Sequence, residues 1–131
     1  MGKKKSDAKR LHNKDLGRRG ESAAARYLEM RGYEVIDRNW TCPAGEADIV
    51  ALDGCTLVFV EVKTRSSFEK GFPSEAVTPE KRARYEKIAC WYLRDSDYVD
   101  IPVRFDIIAL VVVASDRAIV RHYRDAFNCA W

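Results

Sequence analysis

Histidine and cysteine are scarce in this chain and poorly spaced for a metal. There are two His and four Cys. Cys42, Cys55, Cys90 and Cys129 form no CxxC pair, and no His stands at zinc spacing from any of them. This excludes a zinc ribbon or a CxxC redox site and suits reduced thiols in a reducing compartment. His12 and His122 are isolated, and neither is assigned a catalytic role. Long apolar runs are also missing. The longest, IIALVVVA near the C-terminus, falls well short of a membrane span, so no membrane partner is expected. The opening MGKKKSDAKRLHNKD has the charge of a signal n-region, but no apolar h-region follows it. A cytoplasmic protein is therefore expected. No internal repeat is present, which argues against a solenoid.

What is present is an ordinary globular composition, 47% hydrophobic and 33% charged over 131 residues. That length makes one domain with a genuine core. The net charge of +3 hides an asymmetry: residues 1–20 hold eight Lys/Arg against two Asp, and the remainder holds fifteen Lys/Arg against eighteen Asp/Glu. Residues 1–13 lack apolar periodicity and are expected to form a mobile basic arm ahead of a single domain at 14–131. Lys3, Lys4 and Lys5 in that arm are candidates for phosphate contacts, with a solvated tail as the other reading.

Periodicity and punctuation give an element order. Asn13 or Asp15 can cap a helix that runs to about Arg31, with Leu16, Ala23, Ala24, Tyr27, Leu28 and Met30 as its buried stripe and Gly32 as its stop. A strand at 33–40 follows. Two more, at about 46–52 and 56–64, are joined at Asp53-Gly54, a strong hairpin signal. Residues 65–78 form a long polar loop carrying Phe68 and Phe72, which are read either as stacking on unpaired bases or as packing on the body. Thr78 caps a second helix, with Pro79 at its first position, running to about Arg94. Strands at 103–113 and 118–124 complete the chain around a turn at Ser115-Asp116. The expected fold is α/β, a mixed sheet flanked by helices in the order α-β-β-β-α-β-β.

The hairpin raises a question of charge. In LVFVEVK, residues 57–60 are apolar on both faces, the mark of a central strand buried on both sides. Glu61 and Lys63 then fall on one face at the end of that strand. For a two-residue loop at 53–54 or at 54–55, Asp48 shares their face and their end of the sheet. Crowded, partly buried carboxylates need compensation. A divalent cation supplies it, and oxygen ligands without His or Cys favour Mg²⁺ or Mn²⁺. A lysine two residues beyond a metal carboxylate is placed to handle an attacking water or a phosphate charge. A cross-strand ion pair between Lys63 and a carboxylate is the competing explanation.

The D-x₁₂-E-x-K spacing, with a helical Glu upstream, resembles the PD-(D/E)xK pattern of the restriction-endonuclease-like superfamily. More narrowly, GRRGESAAARYLEMRGYEVIDRNW, GEADIV, LVFVEVKTR and RFDIIAL together resemble the YraN-type family of small uncharacterised bacterial proteins. That family in turn is similar to the archaeal Holliday-junction resolvases. The resemblance runs from about Leu16 to Phe127. It implies a restriction-endonuclease-like mixed sheet and a metal held by Glu21, Asp48 and Glu61, with Lys63 as a fourth catalytic residue. It also implies DNA as the partner, branched or damaged DNA as one class of substrate, and room for a homodimer. The Pro of the superfamily pattern is replaced by Ala47; that Pro is not a ligand.

Other charged residues extend the site. Glu46 shares a face with Asp48 and can be a ligand, hold a water or pair with Lys63; it is ranked as a supporting residue. Arg18, Arg19 and Glu21 read by themselves as surface charges; the resemblance implies instead that Gly20 lets the first helix approach the sheet closely and brings Glu21 to the metal. Lys81, Arg82 and Arg84 open the second helix as candidate nucleic-acid contacts at a helix N-terminus, with a solvated face as the equal alternative. Asp106, in an apolar strand, is expected to form a structural salt bridge with a nearby Arg. Two functions follow: a Mg²⁺- or Mn²⁺-dependent DNA endonuclease, or a nucleic-acid-binding or adaptor protein with the same fold and little turnover.

Overall fold

The computed structural model describes the backbone of residues 2–66 and 77–127, and the side chains of 14–66 and 77–127. Seven elements follow one another: α1 (Gly2–Met30), β1 (Glu34–Cys42), β2 (Gly45–Asp53), β3 (Thr56–Arg65), α2 (Pro79–Arg94), β4 (Val103–Ala114) and β5 (Arg117–Tyr123). This is the expected order, and the strands form one mixed sheet in the order β1-β2-β3-β4-β5. Every neighbouring pair is antiparallel except β3 and β4, which run parallel with α2 in the connection between them.

The two helices cover opposite faces. On one face Ala24 and Leu28 of α1 bury against Ile49, Ala51, Val58, Val60, Ile108 and Leu110. On the other, Tyr85, Ile88 and Ala89 of α2 meet Val50, Leu57, Phe59, Ile107 and Phe127. Leu57, Val58, Phe59 and Val60 are all fully buried, as expected for a central strand covered twice. Aromatic edges fix α2 in place: Phe59 meets Tyr92 at 5.6 Å, and Tyr85 meets Phe127 at 5.1 Å.

Local signals worked as their chemistry dictates. The hairpin closes with Asp53 opposite Thr56, so the loop is Gly54-Cys55, and Gly54 takes a φ of +60° that a Cβ would disfavour. Thr78 caps α2 by accepting from the Lys81 N–H, with Pro79 at the first position. Past the end of α1, the Tyr33 N–H returns to the Leu28 carbonyl across Gly32.

Two expectations for α1 need correction. Its backbone is helical from Gly2, eleven residues or more before the Asn13 or Asp15 start, because Lys, Ala and Arg are good helix formers that need no apolar stripe. Met30 is 82% exposed, because α1 ends there and turns its last residue off the sheet; Ala25 is buried instead. No helix among the described residues is long and apolar enough to cross a membrane.

Candidate functional site

The carboxylates meet where β2 and β3 part. Their antiparallel ladder runs from Asp53↔Thr56 to Ile49↔Val60. One residue further, the Asp48 carboxylate accepts the Val62 N–H at 2.8 Å, standing in for the carbonyl that a continued ladder would supply. Continuing the same register sets Asp48 opposite Glu61, the two-residue-loop arrangement read from the sequence.

Asp48 is crowded by negative charge. Burial, and then the charges of Glu21, Glu61 and Glu46, push its pKa up to about 6 against the pull of the Val62 N–H. The predicted acids therefore act on one another across α1, β2 and β3. Burial followed by the charges of Glu61, Asp48 and Glu46 also pushes the Tyr85 phenol far up, which keeps it a proton donor.

Glu21 comes within range because Gly20 lets α1 close on β3. A Cβ at position 20 would overlap the Thr64 hydroxyl and lie 2.9 Å from the Thr64 Cβ. Glu21 is half-buried beside this contact. Lys63 is also half-buried, aligned with Ala109 of β4, and held in an interaction of its own.

Glu61 has a partner that the sequence did not reveal. Lys81 Nζ lies 3.0 Å from Glu61 Oε2, with side chains 20% and 15% exposed. The same oxygen is buried and receives no hydrogen bond, because the ammonium sits off the bonding direction. Its charge is compensated while its lone pairs are not. Arg82 is also engaged, with Glu86 one turn on at 3.0 Å, whereas Arg84 is exposed and lies along the Tyr85 ring. Of the three expected anion contacts on α2, two thus hold carboxylates of this chain.

The donor set suits a hard divalent cation: a carboxylate with a raised pKa, a buried oxygen lacking hydrogen bonds, and no imidazole or thiolate. Among the described residues, no three carboxylate, imidazole or thiolate groups stand close enough together to share an ion. Glu61 is turned toward Lys81, and that ion pair competes with a metal for its oxygens.

Asp106 is structural, as expected, but with more partners than one Arg. Fully buried, it accepts from Arg104 Nε at 2.9 Å, Arg104 Nη2 at 3.0 Å and the Asp125 N–H at 2.9 Å, and it meets His122 Nε2 at 2.7 Å. Arg104 also donates to Asp53 at 2.8 Å and to the Tyr33 hydroxyl at 2.7 Å. This network lies toward the hairpin end of the sheet, away from Asp48. The side chains of Lys3, Lys4 and Lys5, and the loop aromatics Phe68 and Phe72, lie outside the described residues.

Fold and site together define an α/β protein with a five-stranded mixed sheet and a carboxylate cluster where its central hairpin opens. The chain belongs to the uncharacterised protein family UPF0102, whose model matches residues 20–110, from the Gly20 contact into β4. It is similar to a UPF0102 protein of Geobacter sulfurreducens, with 48% identity over 92% of this chain and 94% of the relative. A UPF0102 protein of Beutenbergia cavernae is 50% identical over 83% of this chain and 92% of its own length. One from Rhodococcus jostii is 47% identical over 88% and 98%.

Proposed function

We propose that this protein is a Mg²⁺- or Mn²⁺-dependent endonuclease acting on DNA, with branched or damaged DNA as the substrate class. The observation that carries the reading is Asp48, a half-buried carboxylate at the parting of two strands, crowded by Glu21, Glu61 and Glu46. Asp48, Glu61 and Glu21 would hold the cation once Glu61 leaves Lys81 and the three side chains draw together, since they do not stand at ligating distance as they lie; the bound cation would supply a Lewis acid for the phosphoryl oxygen. Glu46 supports the cluster by its charge on Asp48. Lys63 would orient the attacking water and offset charge developing on the phosphate. Tyr85, protonated beneath the cluster, can donate but not accept a proton at working pH. The free thiols of Cys42 and the exposed Cys55 and Cys90 accord with a cytoplasmic location. A two-fold substrate would favour a homodimer.

A second reading keeps the fold and the nucleic acid but not turnover. It is favoured by the Lys81–Glu61 pair, which compensates Glu61 without a metal. The deciding experiment incubates the protein with linear, nicked, flapped and four-way DNA at matched salt, with and without Mn²⁺. Metal-dependent cleavage that disappears in Asp48→Asn supports the endonuclease. Binding without cleavage supports the second reading, and neither binding nor cleavage overturns both.

A further inference from the structure

Beyond the carboxylates, a groove of about 350 Å³ lies between α1 and the β4–β5 turn. Its walls carry Arg18, Arg19 and Arg26 from the helix and Arg117 from the hairpin, with Asp116 as the one acid. Arg18 and Arg19 continue the basic first twenty residues, and Arg26 and Arg117 add to them from a remainder that holds more acids than bases. The floor is apolar, made by Ala23, Leu110, Val112 and Ala118.

The groove is built, and it reaches the end of the sheet where the carboxylates gather. Arg18, Ser22 and Arg26 recur every fourth residue, so they line one stripe of α1 over about 12 Å. Arg19 is fixed by donating to the Ser115 carbonyl at 2.6 Å, which ties the helix wall to the hairpin wall. Arg38 donates to Ser22 Oγ at 3.1 Å and extends the basic rim toward β1. Among the described residues, Arg18, Arg26 and Arg117 form no ion pair, so their guanidinia remain available to an anion. Gly20, itself in the groove wall, is the residue packed on Thr64, and Glu21 follows it directly. Thr64 aligns with Leu110 of the groove floor. Groove and cluster therefore lie at the same end of the sheet, the groove on the face covered by α1, Asp48 and Glu61 on the face covered by α2, with Glu21 beside the Gly20 contact.

We infer that this groove binds the phosphodiester backbone of a single nucleic-acid strand and leads that strand to the Glu21–Asp48 cluster. Guanidinium forks match phosphate oxygens, and the apolar floor suits sugars and base faces. A cavity of about 350 Å³ is too small to admit a duplex. The inference rests on the nucleic-acid part of the proposed function but not on its chemistry.

The test is binding of a fluorescein-labelled mixed-sequence single-stranded oligonucleotide by the full chain, followed by anisotropy in EDTA over a salt series. Replacing Arg18, Arg26 and Arg117 together by Ala should weaken binding at least tenfold and reduce the log–log salt slope by about 2, at roughly 0.7 per contact on a single strand. Ala118→Glu, which puts one negative charge on the exposed hairpin edge of the floor, should weaken binding in the same direction if the triple variant fails to fold. Unchanged affinity in folded variants, or no binding by the wild type, would overturn the inference. So would equal dependence on these arginines for a duplex of the same length, or displacement of the oligonucleotide by polyglutamate at equal charge. Binding through the groove with no cleavage in Mn²⁺ would sink the endonuclease and leave this inference standing. Cleavage by the wild type with unchanged binding in the variants would do the reverse.

Discussion

Lys81 of α2 reaches across the crossover to place its ammonium 3.0 Å from Glu61 Oε2 of β3. The pair is half-buried, so it carries a modest charge interaction and occupies an oxygen that a cation would need. Lys81→Ala should lower metal-free stability by about 1 kcal/mol and tighten Mn²⁺ binding several-fold. Denaturant titration and isothermal calorimetry read the two effects separately. Lost stability with no Mn²⁺ binding in either protein would make the contact an ion pair and nothing more.

Glu61→Gln removes one of the charges that raise Asp48. The Asp48 carboxyl should then titrate below its wild-type value of about 6, as followed by carboxyl-carbon NMR. Mn²⁺ affinity should fall sharply. An unmoved Asp48 titration would show that the two side chains do not share a site.

Stability should depend on pH in a defined window. Asp48 moves from an ordinary 3.8 to about 6 in the folded chain. Between those values the native form holds the proton more firmly than the unfolded chain does, so stability falls as pH rises through the window. The full effect is about 3 kcal/mol, at 1.36 kcal/mol per unit. Asp48→Asn should abolish this component, leaving it as the difference between the two proteins' urea midpoints from pH 4 to 7. Asp106 and Asp53 have depressed pKa values and act in the opposite sense, lending stability that is lost as pH falls below the usual carboxylate range.

Gly20→Ala should cost about 1–3 kcal/mol by overpacking, because the added Cβ meets Thr64 on a strand that cannot retreat. Combining it with Thr64→Ala should restore part of the loss by removing the hydroxyl and methyl. Additive losses in the double variant would show that the two residues do not press on each other.

Asp106→Ala should be far more damaging, about 3–5 kcal/mol, since it leaves Arg104 and His122 facing an empty buried position. Its melting temperature should fall steeply, while any DNA binding by the folded fraction should persist, because the network lies away from Asp48.

Much of this was legible because the signals were local. Asp53-Gly54 marked the hairpin, Thr78-Pro79 the helix start, and apolar residues on both faces of 57–60 the doubly covered strand. Gly20 beside Glu21 was legible as a close approach only through the family resemblance; on their own, Arg18, Arg19 and Glu21 read as surface charges. The partners of the charged groups were not legible. Nothing near Glu61 in sequence points to Lys81, which arrives only because α2 crosses back over the sheet. Arg104 and Asp106 sit two residues apart, but His122, Tyr33 and Asp53 join them through the register of three strands. Helix α1 outran its expected start because a polar stretch of good helix formers has no apolar period to reveal it.

The one parallel pairing, β3 with β4, sets an order of events in folding. The β2–β3 hairpin closes over a two-residue loop and brings Asp48 to Glu61 at once, through contacts close in sequence. Strand β4 pairs with β3 only after α2 has crossed over the sheet, and Lys81 travels with that helix. A nascent or partly folded chain therefore carries the acids before it carries the lysine that tempers them. In that interval the hairpin repels itself most strongly at its open end, and dissolved cations are the first compensation it can meet.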